Sequence, residues 1–196
     1  MPGGFSVKLE GFDEVMRQLD NKGIAEDISQ VLTIWGRKVA ETAQQNAPVD
    51  EGYLRAHIGS EMIDQLTVSV FCNCNYAAYL EFGTRKFAAS YVSSLPQEWK
   101  IFAATFKGPG GGSFNEMVMR ITEWVKRKGF AAQLTSGGNA SKSKSSVAAQ
   151  EQAAYQIALS IIRNGIRPQP FLYPAFNENR AQLIKDLRDL LTQPRK

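Results

Sequence analysis

Residues 24–47, IAEDISQVLTIWGRKVAETAQQNA, set Ile24, Ile28, Val31, Trp35, Val39 and Ala43 at steps of three and four residues. Apolar side chains at that spacing form one stripe along a helix, and something else in the fold must cover it. Fully helical, the segment runs on the order of 36 Å. The chain has 196 residues, enough to bury one respectable core, so the architecture has to be built around this rod. The helix stops at Pro48, where PVDEG supplies a proline, acidic residues and Gly52 for a turn.

The covering elements can be read on either side of the rod. FSVKLE alternates Phe5, Val7 and Leu9 as a short strand, and GFDEVMRQLD places Phe12, Met16 and Leu19 at helical spacing. QLTVSVFCN, with Leu66, Val68, Val70 and Cys72 against Thr67, Ser69, Phe71 and Asn73, is the clearest strand. NYAAYLEFG fits two periods. Tyr76, Tyr79, Leu80 and Gly83 share a helical face, whereas Ala78, Leu80 and Phe82 would share one side of a strand; a short helix ended by Gly83 is favoured. In RPQPFLYPAF the close spacing of Pro168, Pro170 and Pro174 predicts an extended, rigid approach. FNENRAQLIKDLRDLL then carries Leu183, Leu187 and Leu190, with Ile184 and Leu191, as an amphipathic helix that can pack on residues 24–47.

The expected fold class is α+β. A small antiparallel sheet packs against the long N-terminal-half helix and a C-terminal helix, with a helical insertion. The expected organisation is a single domain, with core residues 1–83 and 167–196 interrupted by an insertion at 84–166.

Charge marks the same middle stretch. Residues 84–168 hold 12 Lys or Arg against 4 Asp or Glu, a balance of +8, while the rest of the chain holds 11 against 15, or −4. A basic block in an acidic frame implies a distinct partner surface. It reads as two helices. FNEMVMRITEWVKRKG has Met117, Ile121 and Trp124 in register and ends on Gly129; SVAAQEQAAYQIALSIIRNG has Tyr155, Leu159 and Ile162 in register and ends on Gly165. Each finishes with cations, which complement the carbonyl end of a helix. Between them the Ser-, Lys- and Gly-rich loop at 135–146, TSGGNASKSKSS, has the composition of a flexible linker.

Little in the sequence points to turnover. His57 is the only histidine, and no nucleophile elbow or paired-His spacing accompanies it. Cys72, Cys74 and His57 do not make a zinc spacing. The cysteines, separated by one residue, sit on the same side of a strand and read as reduced thiols. GPGGGS at 108–113 lacks the Lys-Ser or Lys-Thr of a phosphate loop and reads as a hinge. NAS at Asn139 reads as loop sequence. No stretch approaches the roughly 18 apolar residues of a membrane span, and the opening MPGGFSVKLEGFDE does not resemble a secretory signal. Assembly in a cytoplasm is the expectation, with no membrane partner and no cofactor. Glu81, just before Gly-Thr-Arg among aromatic rings, reads as a structural carboxylate that accepts turn amides or pairs with Arg55 or Arg85.

Three motifs together carry a resemblance. APVDEGYLRAHI at 47–58, YAAYLEFGTR at 76–85 and RPQPFLYPAF at 167–176, followed by a last helix, resemble the linked signatures of a tailed-bacteriophage family of minor tail, tail completion or head-tail joining (neck) proteins. EWVKRKG and IALSIIRNGIRPQPF in the middle are similar to its longer members, while His57 stands where a small polar or basic residue is more usual. The shared positions are turn and packing residues, and no catalytic residue comes with them.

The resemblance implies a virion subunit that assembles as a homo-oligomeric ring at the head-tail joint. It would connect portal-side neck or connector proteins to the tail tube. The expected assembly and turn residues are Pro48, Gly52, Arg55, Tyr76, Tyr79, Glu81, Phe82, Gly83, Arg85, Pro168, Pro170, Phe171 and Pro174. The basic block, with Lys126, Arg127, Lys128, Lys142 and Lys144, has three readings. First comes docking on an acidic face of a neighbouring ring or copy; then non-specific DNA contact along the exit path; last, a solvated face. The alternative class is a stand-alone basic nucleic-acid-binding protein using residues 84–166, against which the long link between the two helices argues.

Overall fold

The periodic segment forms α1, Lys22–Asn46, in a computed structural model that describes residues 5–8, 22–106, 113–128 and 147–192. Its buried side is Ile24, Ala25, Ile28, Leu32, Trp35, Val39, Ala40 and Ala43. Leu32 rather than Val31 continues the stripe after Ile28, with Val31 only half-buried. Asn46 is the last helical residue. Pro48 disfavours helical backbone at the residue before it, which fixes that boundary.

Among the described residues the sheet has three strands: β1 (Phe5–Lys8), β2 (Ile58–Asp64) and β3 (Thr67–Cys72). Their order is β1-β3-β2, with both pairings antiparallel. β3 is central and buries Val68, Val70 and Cys72. α1 lies on this sheet. At Gly36 of α1 an added Cβ would stand 2.5 Å from Val68 Cγ2, so glycine is what lets helix and sheet approach this closely. β2 is a finding. IGSEMID buries only Ile58 fully, so it lacks the alternation that marks β3 in the sequence.

Between α1 and β2 comes a single turn, α2 (Tyr53–Ala56), entered through Gly52 at φ 82°. After β3 comes α3 (Ala77–Phe82), ended by Gly83 at φ 72°. The last helix, α8 (Leu172–Thr192), packs along α1 through Leu172, Ala175, Asn179, Leu183 and Leu187. Trp35 Nε1 donates to the Asn179 carbonyl at 3.0 Å. The Trp35 ring meets Phe176 edge-on, with centroids 5.5 Å apart. The α+β core is therefore a small antiparallel sheet carrying α1, with α8 packed along α1. Two details differ from expectation: Ile184 and Leu191 are exposed, and the helix starts before Pro174.

The chain divides into two compact units, Met1–Gly83 with Pro168–Lys196, and Thr84–Arg167. The second unit holds four described helices, not two: α4 (Arg85–Ser93), α5 (Gln97–Thr105), α6 (Phe114–Lys128) and α7 (Val147–Asn164). α4 buries no residue fully and α5 only Trp99. Helices this short and this exposed leave no stripe long enough to read. α6 opens with a reciprocal cap. The Ser113 amide donates to Glu116 Oε2 at 3.0 Å, and the Glu116 amide to Ser113 Oγ at 3.2 Å.

α6 and α7 pack around Val125, Ala153 and Ala154, with Val118, Ile121, Trp124 and Ile157 against them. Of the residues read in register on α7, Ile162 is exposed, and Tyr155, though partly exposed, meets Phe114 of α6 edge-on with ring centroids 5.4 Å apart. Small alanine side chains set the seam, because the distance between packed helices depends on what stands between them. The unit's first and last residues are tied together. The Thr84 amide donates to the Ile166 carbonyl at 3.0 Å, and the Ile166 amide to Thr84 Oγ1 at 2.7 Å. The expected helix at 11–20, the GPGGG hinge, the stop at Gly129 and the Ser-Lys tract with Lys142 and Lys144 lie outside the described residues.

Candidate functional site

Helix α8 begins with a problem of unpaired donors, since the first four N–H groups of a helix have no partner within it. Here the first three are the amides of Phe171, Leu172 and Tyr173, and the fourth position is Pro174, which has no N–H. Glu81 takes all three amides. Its Oε2 accepts from Phe171 at 2.8 Å and Leu172 at 2.9 Å, and its Oε1 accepts from Tyr173 at 2.9 Å. A carboxylate there also complements the positive end of the helix dipole. One residue back along α3, the Leu80 carbonyl accepts the Gln169 amide at 2.7 Å.

Glu81 therefore pairs neither with Arg55 nor with Arg85, and the amides it accepts come from a distant segment rather than from its own turn. The reason is burial. Glu81 has 0% exposure, and no guanidinium is needed when three oriented N–H groups are available. Burial pushes its carboxyl above the ordinary value, while the amides of Leu172, Phe171 and Tyr173 pull the other way. Pro174 is likewise not extended. It sits in the first turn of α8, where a missing N–H costs nothing.

Phe171 and Phe82 are buried, and Pro48, Tyr79, Pro168 and Pro170 are half-buried. Of α3, the buried face is Ala77, Ala78, Glu81 and Phe82, which leaves Tyr76 outside at 41% exposure. Tyr76 lies beside Tyr53, with centroids 6.4 Å apart, and Tyr53 stacks on His57 at 3.9 Å. His57 Nδ1 is 2.7 Å from the Tyr53 carbonyl oxygen. Arg55 is exposed on the same turn. Arg85, in the second unit, is exposed and has φ 53°. Lys126, Arg127 and Lys128 are exposed in the last turn of α6.

Chemically, this is an arrangement for holding segments together. The carboxylate that looks catalytic in isolation has both oxygens occupied by backbone donors. Among the described residues no group of three or more His, Cys, Asp or Glu could hold a metal ion, and no helix is long and apolar enough to cross a membrane. Both cysteines are free and buried. Burial, followed by the neighbouring Cys74, pushes the Cys72 thiol up to about 12.

Residues 12–83 match the HK97-gp10-like family, described as "Bacteriophage HK97-gp10, putative tail-component". The resemblance carried by the first two motifs is thereby borne out, over a segment that runs from before α1 to the end of α3. No match was found among curated proteins or among solved structures.

Proposed function

We propose that this chain, whose residues 12–83 are those of a bacteriophage tail-component family, is a structural virion subunit that forms a ring at the head-tail joint. The family match carries this reading. The joint at Glu81 supports it, because it spends the one suspicious carboxylate on rigidity rather than on proton transfer. In this role the chain works by binding: the aromatic surface of Tyr53, His57 and Tyr76 and the basic unit 84–167 are its contact faces, toward neck or connector proteins on one side and the tail tube on the other. The basic unit docks on an acidic protein face.

Electron microscopy of lysates from phage lacking this gene tests the reading. Filled heads lying apart from finished tails support a place at the joint. Normal joined particles overturn it and favour non-specific DNA binding by the basic unit, which would show as salt-sensitive retention on DNA.

A further inference from the structure

Among the described residues, the strand order β1-β3-β2 leaves β1 at one edge of the sheet and β2 at the other. The hydrogen-bond phase of β2 follows from its neighbours. The Asn73 amide donates to the His57 carbonyl at 3.0 Å, so 57 and 73 are a hydrogen-bonded pair. In an antiparallel ladder such pairs alternate with non-bonded ones. The register Ile58↔Cys72, Ser60↔Val70 and Met62↔Val68 therefore belongs to the non-bonded set. Those three residues aim their backbone groups away from β3. Gln44 Nε2 confirms the phase, donating to the Ile58 carbonyl at 3.0 Å. Beyond that capped oxygen, the N–H and C=O groups of Ser60 and Met62 face outward with no partner among the described residues.

Natural edges are usually blunted by proline, charged side chains, a bulge or a covering element, and opposite charges on two edges can instead select them for each other. IGSEMID has neither proline nor lysine, and Ile63 beside the open groups is 48% exposed. Its one irregularity is the register shift between Met62 and Asp64, which ends the edge without closing it.

We propose that the open edge of β2 receives β1 of a second copy of this chain, so that the sheet continues from copy to copy. This rests on the ring reading above, which requires two different surfaces meeting head to tail. Charge selects the occupant. The sequence of β2, IGSEMID, holds the exposed acid Glu61 and no lysine or arginine, whereas β1, FSVK, holds Lys8 and no acid. Pairing β2 with another β2 would set acids of two copies against each other, which is unfavourable across a strand pair. Direction follows as well. β1 and β2 both run antiparallel to β3, so they run parallel to each other. Rotation about an axis along the strands preserves that direction, and the junction is a parallel β2–β1 pair.

The test uses the full-length protein in sedimentation and disulfide cross-linking. Ser60→Pro removes an outward N–H that the β3 ladder does not use, and should weaken self-association by about tenfold or more. Glu61→Lys, on an exposed side chain, should weaken it too, and adding Lys8→Glu should restore it. This charge pair keeps the test valid if the proline variant fails to fold. Cysteines placed at Ser6 and Glu61 should cross-link between copies, and two copies of Glu61→Cys should not. A wild-type assembly indifferent to Ser60→Pro and Glu61→Lys overturns the edge pairing while the ring stands. Cross-links between two β2 strands overturn it in favour of a closed dimer. A chain monomeric at every concentration overturns both the pairing and the ring.

Discussion

Glu81 Oε2 accepts the amide of Phe171, ninety residues further along the chain, at 2.8 Å. The bond joins α3 to the start of the last helix, and it is one of three such bonds from the same carboxylate. Gln is nearly the same shape, yet it presents an NH2 group to at least one of these donors. Glu81→Gln should cost about 2 kcal/mol near neutral pH, and Glu81→Ala, which orphans every donor, about 4 kcal/mol. Urea denaturation of the full chain measures both. Equal stability of all three proteins would remove Glu81 from the set of residues that hold α8 in place.

The same carboxyl sets a pH dependence. Its folded-state value is raised by burial against the pull of its amides, so the folded protein holds this proton more tightly than the unfolded chain. The contribution is fully present below the unfolded value of about 4.3 and is lost as pH rises through the folded value. Urea midpoints of wild type and the non-titrating Glu81→Gln, compared in steps from weakly acidic to neutral pH, should therefore show the wild-type advantage shrinking as pH rises. A growing advantage would mean that the amides outweigh burial.

Cys72 and Cys74 should be silent in the native protein. Both are buried, at 0% and 2% exposure, and Cys72 is pushed up to about 12, so thiolate is scarce where a reagent could arrive. A colorimetric thiol reagent at mildly alkaline pH should find almost none in the folded chain and both in denaturant. Rapid native reaction would show that the β3 end opens readily.

What the sequence made legible depends on how locally each feature is written. The faces of α1 and α8 come from spacing within one segment, and their packing follows because each stripe needs a cover. A structural role for Glu81 is also readable, from its place before a Gly-Thr turn. Its partners are not, since nothing near residue 81 names the amides of 171–173. The face of α7 misleads for a different reason. Ala153, Ala154 and Ala158 are weak apolar signals beside Tyr155 and Ile162, yet small side chains are what a close helix seam selects. β2 escapes because an edge strand with one fully buried residue has no alternation to show. Ser113-x-x-Glu116 was a readable signal for the start of α6, being a capping pattern just before an apolar run.

Two glycines with the same backbone need separate a conformational cost from a steric one. Gly52 and Gly165 have φ 82° and 90°. A Cβ at Gly52 meets nothing within 4 Å, whereas at Gly165 it would collide with the Thr84 backbone carbonyl. Gly52→Ala should therefore cost about 1 kcal/mol, the left-handed penalty alone. Gly165→Ala adds a clash with backbone that is itself hydrogen-bonded to Ile166, and should cost about 3 kcal/mol or more. The damage should also be local, because Thr84 and Ile166 close the second unit. Limited proteolysis should find new cuts near residues 85–93 in Gly165→Ala but not in Gly52→Ala, with thermal melts ranking the two. Equal effects would mean that the tie between Thr84 and Ile166 adds nothing to the stability of the unit it closes.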